Sequence, residues 1–460
     1  MAEKAVDPRS LRLTRRSLLL GAAGAGLAAV SGCSGGGGGG ALGGGGGGGG
    51  KVTELVVPTN KSPWLNAYKK VAAQYQEQQG IRITLREFPY DGLRTQQVNA
   101  VQRKSFPFDV FQLDEPWTGQ FYDSEWVTPL KQIDSSFDLD GEILTYDSLP
   151  FWDKGQRTSA SGGELVALPL NGNVDLFIYR KDLYDELGLQ VPTTWEQAVA
   201  NARTGQQSGK IKYGHIMRTQ ASPGGAATTY EYMHIFYSYG ANWFVDEGKD
   251  WTPAVNSPEA VAGTEIYKQL AQLGHAQPQT IGQAEAIALM QGGQALQTHV
   301  VAAAAADLVN PEKSQVADKL GFAVVPAGAA GRPTPTSGVW SLCIPAGLAT
   351  ERAQAALGFI RWMLSPETQL AFTQSGGIPT RRDTYGSSDL PATATSYLRA
   401  VGDSTPNARR HIRYVFASAM LEVTERTLGR ITAGTVAVKA GLDQMQRDLT
   451  KVVRDAGFLE

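Results

Sequence analysis

Two adjacent acids, Asp114 and Glu115, follow an apolar run and precede a proline, which places them at the end of a predicted strand. Asn60 and Tyr90 follow the two preceding apolar runs in the same way. Because parallel α/β sheets bind ligands at the carboxyl ends of their strands, we expect these four side chains to share one rim. Ionised carboxylates only accept hydrogen bonds, so the two acids could accept hydrogen bonds from ligand hydroxyl groups.

The same residues also have purely structural interpretations. Asp114 could cap the helix that begins near Pro116, with Glu115 as an acid in its first turn. Asn60 and Tyr90 could be ordinary loop residues. Both interpretations stay open, and for Asp114 they are compatible.

No catalytic or metal-binding motif accompanies the acids. The sequence has no HExxH, GxSxG or CxxC, and the five histidines, at 215, 234, 275, 299 and 411, show no metal-ligand spacing. A glycoside hydrolase needs two carboxyl groups roughly 5 to 9.5 Å apart, whereas adjacent residues point in different directions. We therefore predict no enzyme activity, no cofactor and no metal, with a secreted carbohydrate-active enzyme as the alternative from another class.

The elements that must position these residues alternate between strands and helices. Apolar runs predict strands at 54–58, 81–88 and 109–114, with helices over 64–75 and 93–103 between them. Further strands are predicted at 213–217, 295–299, 320–326 and 339–344. Further helices are predicted at 228–239, 258–273, 282–291, 351–364, 366–374 and 436–456. The chain of 460 residues is long enough for two sizeable domains of the α/β class.

The stretch 164–183, ELVALPLNGNVDLFIYRKDL, predicts two strands joined by a bend at Asn171, Gly172 and Asn173. We interpret this stretch as a crossing between two lobes. Asn173 is expected to face the cleft between them, and the alternative is a turn-forming asparagine that bonds only its own backbone.

Residues 1–32 are typical of an export signal. Paired Arg15 and Arg16, which resemble a twin-arginine signal, precede an apolar run at 18–30. That run is shorter than the ~18 residues that span a bilayer. The sequence VSGC, ending at Cys33, resembles a lipoprotein box whose cysteine is acylated, and an ordinary signal with a chance cysteine is the alternative. Residues 33–50 are nearly all glycine and predict a flexible tether.

Composition agrees with an exported protein. Cys33 and Cys343 are the two cysteines, so lipid on the first would leave no intramolecular disulfide. The net charge is −2, and residues 1–32 hold five basic and two acidic side chains, which leaves the rest mildly acidic. No basic face for nucleic acid is predicted.

Several motifs occur in an order that resembles a known family. They are DVFQLDEPW at 109–117, LVALPLNGNVDLFIYRKDLY at 165–184, PTTW at 192–195, QGGQAL at 291–296, SGVWSLCI at 337–344 and AQAALGFIRWMLSPETQ at 353–369. Together they resemble family 1 extracellular solute-binding proteins, the sugar receptors of ABC importers. The resemblance implies a two-lobe, type II-like periplasmic-binding-protein fold, with each lobe a sheet flanked by helices and three hinge crossings.

The resemblance also implies how the chain divides. Residues 51–170 plus 341–390 would form the N-terminal lobe, and residues 171–340 plus 391–460 the C-terminal lobe. The crossings would lie at 170–174, at 337–342 and between 381 and 400. Gly172 and Gly338 would absorb the backbone rotations of closure around a ligand.

A sugar ligand needs polar partners for its hydroxyls and aromatic partners for its ring faces. Trp340 is the favoured aromatic candidate, because its strand begins at the second crossing beside Gly338. Trp243 lies in a glycine-led loop and is the next candidate. Trp117 could stack on a ring or could pack its own helix.

Two further residues could recognise the ligand. Relatives have a Gly-Pro-Trp-like element after QGGQAL, whereas this chain reads Gln297-Thr298-His299-Val300. His299 could bind ligand in place of the missing aromatic residue, or it could be structural. Arg381 could bind a hydroxyl or an anionic substituent, or it could be a surface charge.

The resemblance implies a carbohydrate ligand, ABC permease subunits as partners, and a monomer held by lipid on Cys33 at the extracytoplasmic face of the membrane. A receptor for a polyol, a glycerophosphodiester or a polyamine is the alternative within the same class.

Overall fold

The computed structural model of the protein describes residues 51–103 and 106–460. The export signal, Cys33 and the glycine tether lie outside the described residues, so the predictions for them stay predictions. Within the described ranges, no helix is sufficiently long and apolar to cross a membrane.

The described chain alternates between short strands and helices. The strands are β1 (Glu54–Asn60), β2 (Arg82–Phe88), β3 (Phe111–Asp114), β4 (Phe151–Trp152), β5 (Glu164–Leu165), β6 (Leu168–Asn171), β7 (Asp175–Arg180), β8 (Tyr213–Ile216), β9 (Phe244–Asp246), β10 (Asp250–Pro253), β11 (Ala295–Val301), β12 (Leu320–Val324) and β13 (Trp340–Cys343). The helices are α1 (Leu65–Gln79), α2 (Tyr90–Gln102), α3 (Glu115–Asp123), α4 (Leu130–Ile133), α5 (Lys181–Glu186), α6 (Trp195–Gln207), α7 (Ala227–Ser238), α8 (Pro258–Gln272), α9 (Gln283–Gln291), α10 (Ala305–Leu308), α11 (Thr350–Met363), α12 (Pro366–Gln374), α13 (Arg382–Tyr385), α14 (Ala392–Ser404), α15 (Ala417–Thr432) and α16 (Val438–Asp455).

Helices with clear start signals are the ones that the sequence predicts best. Ser257 caps α8 and Ser365 caps α12, in each case just before a proline, and both helices lie within one residue of their predicted ends.

Helices α14 and α15 are absent from the predicted elements. The buried face of α15 includes Thr424, Glu425 and Thr427, and these polar residues weaken the apolar periodicity that marks a helix.

One sheet positions the predicted rim residues through its register. Strand β13 lies between β3 and β6 and pairs antiparallel with both. Trp340 is therefore directly opposite Asp114 on one side and Asn171 on the other. The parallel pairing that we assumed for β3 is wrong, since β13, the strand with which it pairs, runs antiparallel to it. Strands β1 and β2 do pair in parallel, and they bring Asn60 opposite Phe88.

A second sheet has the order β12-β7-β11-β8. Strands β12 and β11 both run antiparallel to β7, while β8 runs parallel to β11. Helix α14 packs against β12 and β7, and α6 packs against β8. All seven residues of β11 are buried, as expected for an inner strand of a covered sheet.

The chain passes between the two sheets at three places within the described residues. The first passage joins β6 to β7, the second joins β12 to β13, and the third lies between α12, which packs on α1, and α14. The first two run side by side, because Val174 bridges to Ser337 and the Gly338 amide donates to the Asn173 carbonyl at 3.0 Å.

Gly172 and Gly338, at the first two passages, leave no room for a side chain. A Cβ on Gly172 would overlap the Tyr146 hydroxyl and lie 2.8 Å from the Pro379 carbonyl oxygen, and one on Gly338 would lie 2.8 Å from the Tyr230 ring. Neither glycine has a positive φ. Close packing therefore explains both glycines without any special backbone rotation.

Candidate functional site

The segments beside the first two passages enclose a cavity of about 390 Å³. The end of β1, the start of α2 and the end of β3 contribute from the first sheet's side, and the loop after β8 with the starts of α7 and α9 contributes from the other. The polar and aromatic lining residues are Asn60, Lys61, Ser62, Trp64, Tyr90, Asp91, Asp114, Asn173, Arg218, Gln220, Ser222, Tyr230, Gln283, Trp340 and His411, and Gly338 completes one wall. Six predicted site residues thus share this cavity: Asn60, Tyr90, Asp114, Asn173, Gly338 and Trp340.

Asp114 combines both roles that the sequence suggests for it. Its Oδ1 accepts from the Glu115 amide at 3.0 Å and caps α3, while its Oδ2 accepts from the Tyr90 hydroxyl at 2.7 Å. Burial raises the pKa of Asp114 to about 7, although the Tyr90 hydrogen bond opposes this rise. The carboxyl group is therefore positioned at the cavity wall with a pKa near neutrality.

Aromatic rings form one wall of the cavity. Trp340 makes edge-to-face contacts with Trp64 at 6.0 Å, Trp117 at 5.5 Å and Tyr90 at 6.1 Å between ring centres. Such pairs stabilise by roughly 0.5–1.5 kcal/mol beyond their area burial. The tryptophan at the middle of this cluster is thus held rigidly, as an aromatic platform for the apolar face of a ligand requires.

Asn173 lies where the two passages meet, and its side chain bonds a distant segment instead of its own backbone. Its Oδ1 accepts from the Ala303 amide at 3.1 Å, which fixes the side chain against the residues that follow β11. The carboxamide nitrogen donates to no other described residue, so it can donate to a ligand.

Arg218 is the cation of the second wall. Its Nε donates to Glu231, its Nη1 donates to Gln283 at 3.1 Å, and its guanidinium lies 5.1 Å from the centre of the Tyr230 ring. Its Nη2 is buried without a hydrogen-bond partner among the described residues. Arg218 therefore brings a positive charge to this wall, and one of its nitrogens has no acceptor in the described protein.

Glu115 does not line the cavity. It is fully buried and accepts from Ser337 Oγ at 2.9 Å, from the Val339 and His411 amides, and from Arg413 Nη1 at 3.3 Å. Burial raises its pKa, and Arg413 opposes the rise. With its acceptor positions occupied, Glu115 joins β3 to the second passage and to residues 411–413.

Two tryptophans predicted to contact ligand are also packed elsewhere. Trp117 is 1% exposed and lies behind Tyr90 and Trp340, so it supports the wall without reaching the cavity. Trp243 packs on Phe236 with 4.8 Å between ring centres, and its Nε1 donates to the Tyr237 hydroxyl at 2.7 Å. The glycine-led loop places Trp243 in the core, because the ring covers α7.

The two polar contacts predicted for the C-terminal half do not line the cavity. His299 is fully buried with its Nδ1 2.9 Å from His215 Nε2. Arg381 is 4% exposed and donates to Asp383 and Asp140, with Nη1 2.6 Å from Asp140 Oδ2. Arg381 therefore joins α13 to the 140 loop instead of facing the cavity.

Several cavity residues are absent from the predicted site. Arg218 lies two residues after the end of β8, which pairs in parallel with β11, so the rule for the carboxyl ends of parallel strands could have indicated it. Trp64, Tyr230, Gln283 and His411 carry no such local signal, since long-range packing brings them together.

A larger cavity of about 1200 Å³ lies beside Ser337. Its charged and aromatic lining includes Tyr237, Glu247, Trp251, Arg409 and Arg410. Arg410 pairs with Glu247 and lies 3.6 Å from Asp147 Oδ2. The charges that line this larger cavity are thus largely paired within the protein.

Residues 60–370 match the family model described as bacterial extracellular solute-binding protein. The chain belongs to this family. The match confirms the predicted family and the extracytoplasmic, solute-binding role that this family has.

Named relatives and solved structures agree with this assignment. A "Probable amino-acid ABC transporter periplasmic-binding protein" from Sinorhizobium fredii is 24% identical over 68% of this chain and 69% of its own. A mannitol-binding protein from Pseudomonas aeruginosa is 26% identical over 58% of this chain, and the match spans 59% of that protein, less than two thirds of its length.

The structural comparisons establish the fold. Maltose-bound MalE3 of T. maritima has a TM-score of 0.77 at 22% identity, and a solute-binding protein from Agrobacterium radiobacter in complex with ribitol has 0.77 at 24% identity. Each match covers 87% of this chain and 99% of the other. The predicted two-lobe α/β fold is confirmed.

Proposed function

We propose that the protein is an extracytoplasmic receptor that binds a polyol or a small sugar in the 390 Å³ cavity and delivers it to an ABC importer. The observation that carries this proposal is that a rigid aromatic wall at Trp340 and the polar side chains of Asp114, Asn173 and Arg218 line one cavity. Hydroxyl groups need donors and acceptors, and the C–H face of a polyol chain or sugar ring packs on an aromatic side chain.

Cavity size supports a small ligand. A volume of about 390 Å³ lies near the lower end of the roughly 300–1,000 Å³ found for ligand sites. Relatives and structural neighbours are named for mannitol, ribitol and maltose, which are two polyols and a disaccharide. A long oligosaccharide would have to extend beyond the cavity.

An amino acid is the second candidate ligand. Arg218 on one wall could bind an α-carboxylate while Asp114 on the other binds the ammonium group, and a relative is named for amino-acid transport. This arrangement would leave the aromatic wall for an apolar side chain.

A thermal-shift screen of the protein lacking residues 1–50 separates these candidates. The panel contains polyols, mono- and disaccharides, amino acids, glycerophosphodiesters and polyamines. A ligand at 100 times its Kd adds about 2.7 kcal/mol of apparent stability. A shift with polyols or sugars alone supports the proposal, and a shift with amino acids alone rejects it. Recovery of the bound ligand unchanged after prolonged incubation would distinguish a receptor from a carbohydrate-active enzyme.

We further propose that residues 51–170 with 341–390 and residues 171–340 with 391–460 form lobes that close around the ligand as a monomer. The side-by-side passages at Asn173 and Gly338 support this division. Small-angle scattering should show a smaller radius of gyration with ligand, at an unchanged molecular mass. An unchanged radius would contradict closure.

Lipid on Cys33 would keep the receptor near its permease. The box VSGC and the following glycine tether support this anchor. Palmitate labelling in cells should disappear in Cys33→Ser and persist in Cys343→Ser. Equal labelling of both variants would reject the anchor.

A further inference from the structure

Three histidines that are far apart in the sequence meet behind the Arg218 wall. His215 lies at the end of β8, His234 on α7 and His299 on β11, and all three are fully buried. Glu231 lies one turn before His234 on the same face of α7 and is also fully buried. Spacing along the sequence gives no sign of this arrangement.

Unpaired atoms converge within this group. Glu231 Oε2, His234 Nε2 and His299 Nε2 have no hydrogen-bond partner among the described residues, although His299 Nε2 lies 3.1 Å from Glu231 Oε2. One ligand atom from each of these three residues lies within 4.8 Å of the other two. A buried polar group without a partner is destabilising, so three together call for a shared partner.

Two of the remaining atoms of the same side chains are already held. Glu231 Oε1 accepts from Arg218 Nε, and His299 Nδ1 lies 2.9 Å from His215 Nε2. His234 Nδ1 lies 2.7 Å from Asp175 Oδ2 but makes no hydrogen bond with a described residue. Metal-binding histidines and carboxylates are typically oriented in this way, with the atom that does not bind the ion held by a neighbour.

The buried ionisable groups beside the three residues favour a cation. Arg218 is paired with Glu231, and Asp175, which is also fully buried, lies 2.7 Å from His234 Nδ1. One arginine cannot neutralise two buried carboxylates, so a bound divalent cation would supply positive charge.

We propose that Glu231, His234 and His299 bind a divalent transition-metal ion of the Zn²⁺ class. Imidazole nitrogen with one carboxylate oxygen is a ligand set typical of zinc, whereas Mg²⁺ and Ca²⁺ prefer oxygen ligands alone. The ion would be structural, because its ligands are fully buried. It would fix Glu231 and thereby the arginine that faces the ligand cavity.

Metal content of the full chain tests the proposal directly. The protein is purified without a histidine tag or chelator, dialysed against Zn²⁺ and then against metal-free buffer, and analysed by inductively coupled plasma mass spectrometry. We expect about one zinc per chain, and far less in His299→Gln. His275→Gln, which changes a histidine outside the group, should retain the ion. Native protein with no retained divalent metal would overturn the proposal. Protons shared among Glu231, His234 and His299 would then stabilise the group instead of a metal ion.

A second measurement needs no substitution in the core. X-ray absorption at the zinc edge of the native protein should show two imidazole ligands and no sulfur. Removal of the ion with dipicolinate should lower the melting temperature, and Zn²⁺ but not Mg²⁺ should restore it. A sulfur ligand, or a melting temperature that chelation does not change, would reject the site.

Discussion

The two cavities lie on opposite sides of one backbone segment, since Ser337 lines the larger and Gly338 the smaller. In the larger cavity the arginines are satisfied within the protein. Arg410 pairs with Glu247, and Arg409 lies 4.6 Å from the centre of the Tyr237 ring. In the smaller cavity a rigid tryptophan faces an arginine with an unpaired nitrogen.

This difference supports the proposal that the smaller cavity binds the ligand. A paired charge must give up its partner before it can bind a solute, whereas a polar group without a protein partner loses none when it binds one. Volume alone would favour the larger cavity. The chemistry of the lining favours the smaller one, and paired substitutions in the two cavities can test that preference.

Trp340→Leu should give the largest loss of affinity. Removing a central aromatic contact typically costs about 1.4–2.8 kcal/mol, which is roughly 10- to 100-fold in Kd. Calorimetric titration with the best ligand from the screen measures it. Trp251→Leu makes the same change in the larger cavity and should leave Kd unchanged. If Trp251→Leu weakens binding more than Trp340→Leu does, the assignment of the cavities is reversed.

Arg218→Gln should weaken binding by about tenfold, because a charge-assisted hydrogen bond to the ligand is lost. It should also lower thermal stability, since Glu231 is left buried without its cation. Titration is therefore done well below the melting temperature, with circular dichroism to verify folding. Arg409→Gln is the matched change in the larger cavity. Equal affinity of wild type and Arg218→Gln would remove Arg218 from the site.

Local signals explain which parts of the site the sequence predicts. Asp114 and Asn173 follow apolar runs, and Trp340 begins a strand at a proposed passage, so each lies near a strand end that pattern alone can locate. The sequence does not predict which groups surround these side chains. Asp114 and Glu115 are neighbours in the sequence, yet one faces the cavity and the other is enclosed by four donors from distant segments.

Packing between distant segments explains the predictions that fail. Trp243 and Arg381 have the right chemistry for a sugar site, but the rest of the fold occupies them. The histidines at 215, 234 and 299 come together because β8 and β11 are neighbours in one sheet and α7 packs behind them. The order of these elements along the sequence does not predict that the three histidines meet.

The smallest effect that we predict concerns Asp114 and pH. Its pKa is about 7 in the folded protein and 3.8 as the reference value for an unfolded chain. A raised pKa means that the stability from Asp114 is fully present below about pH 4 and is lost as the pH rises through about 7. An asparagine side chain cannot titrate, so the melting temperature of Asp114→Asn minus that of wild type should increase over this interval.

Other buried acids titrate equally in both proteins and cancel in this difference. Loss of the acceptor for the Tyr90 hydroxyl adds an offset that varies little with pH. If the difference for Asp114→Asn is flat across this interval, burial does not perturb this carboxyl group.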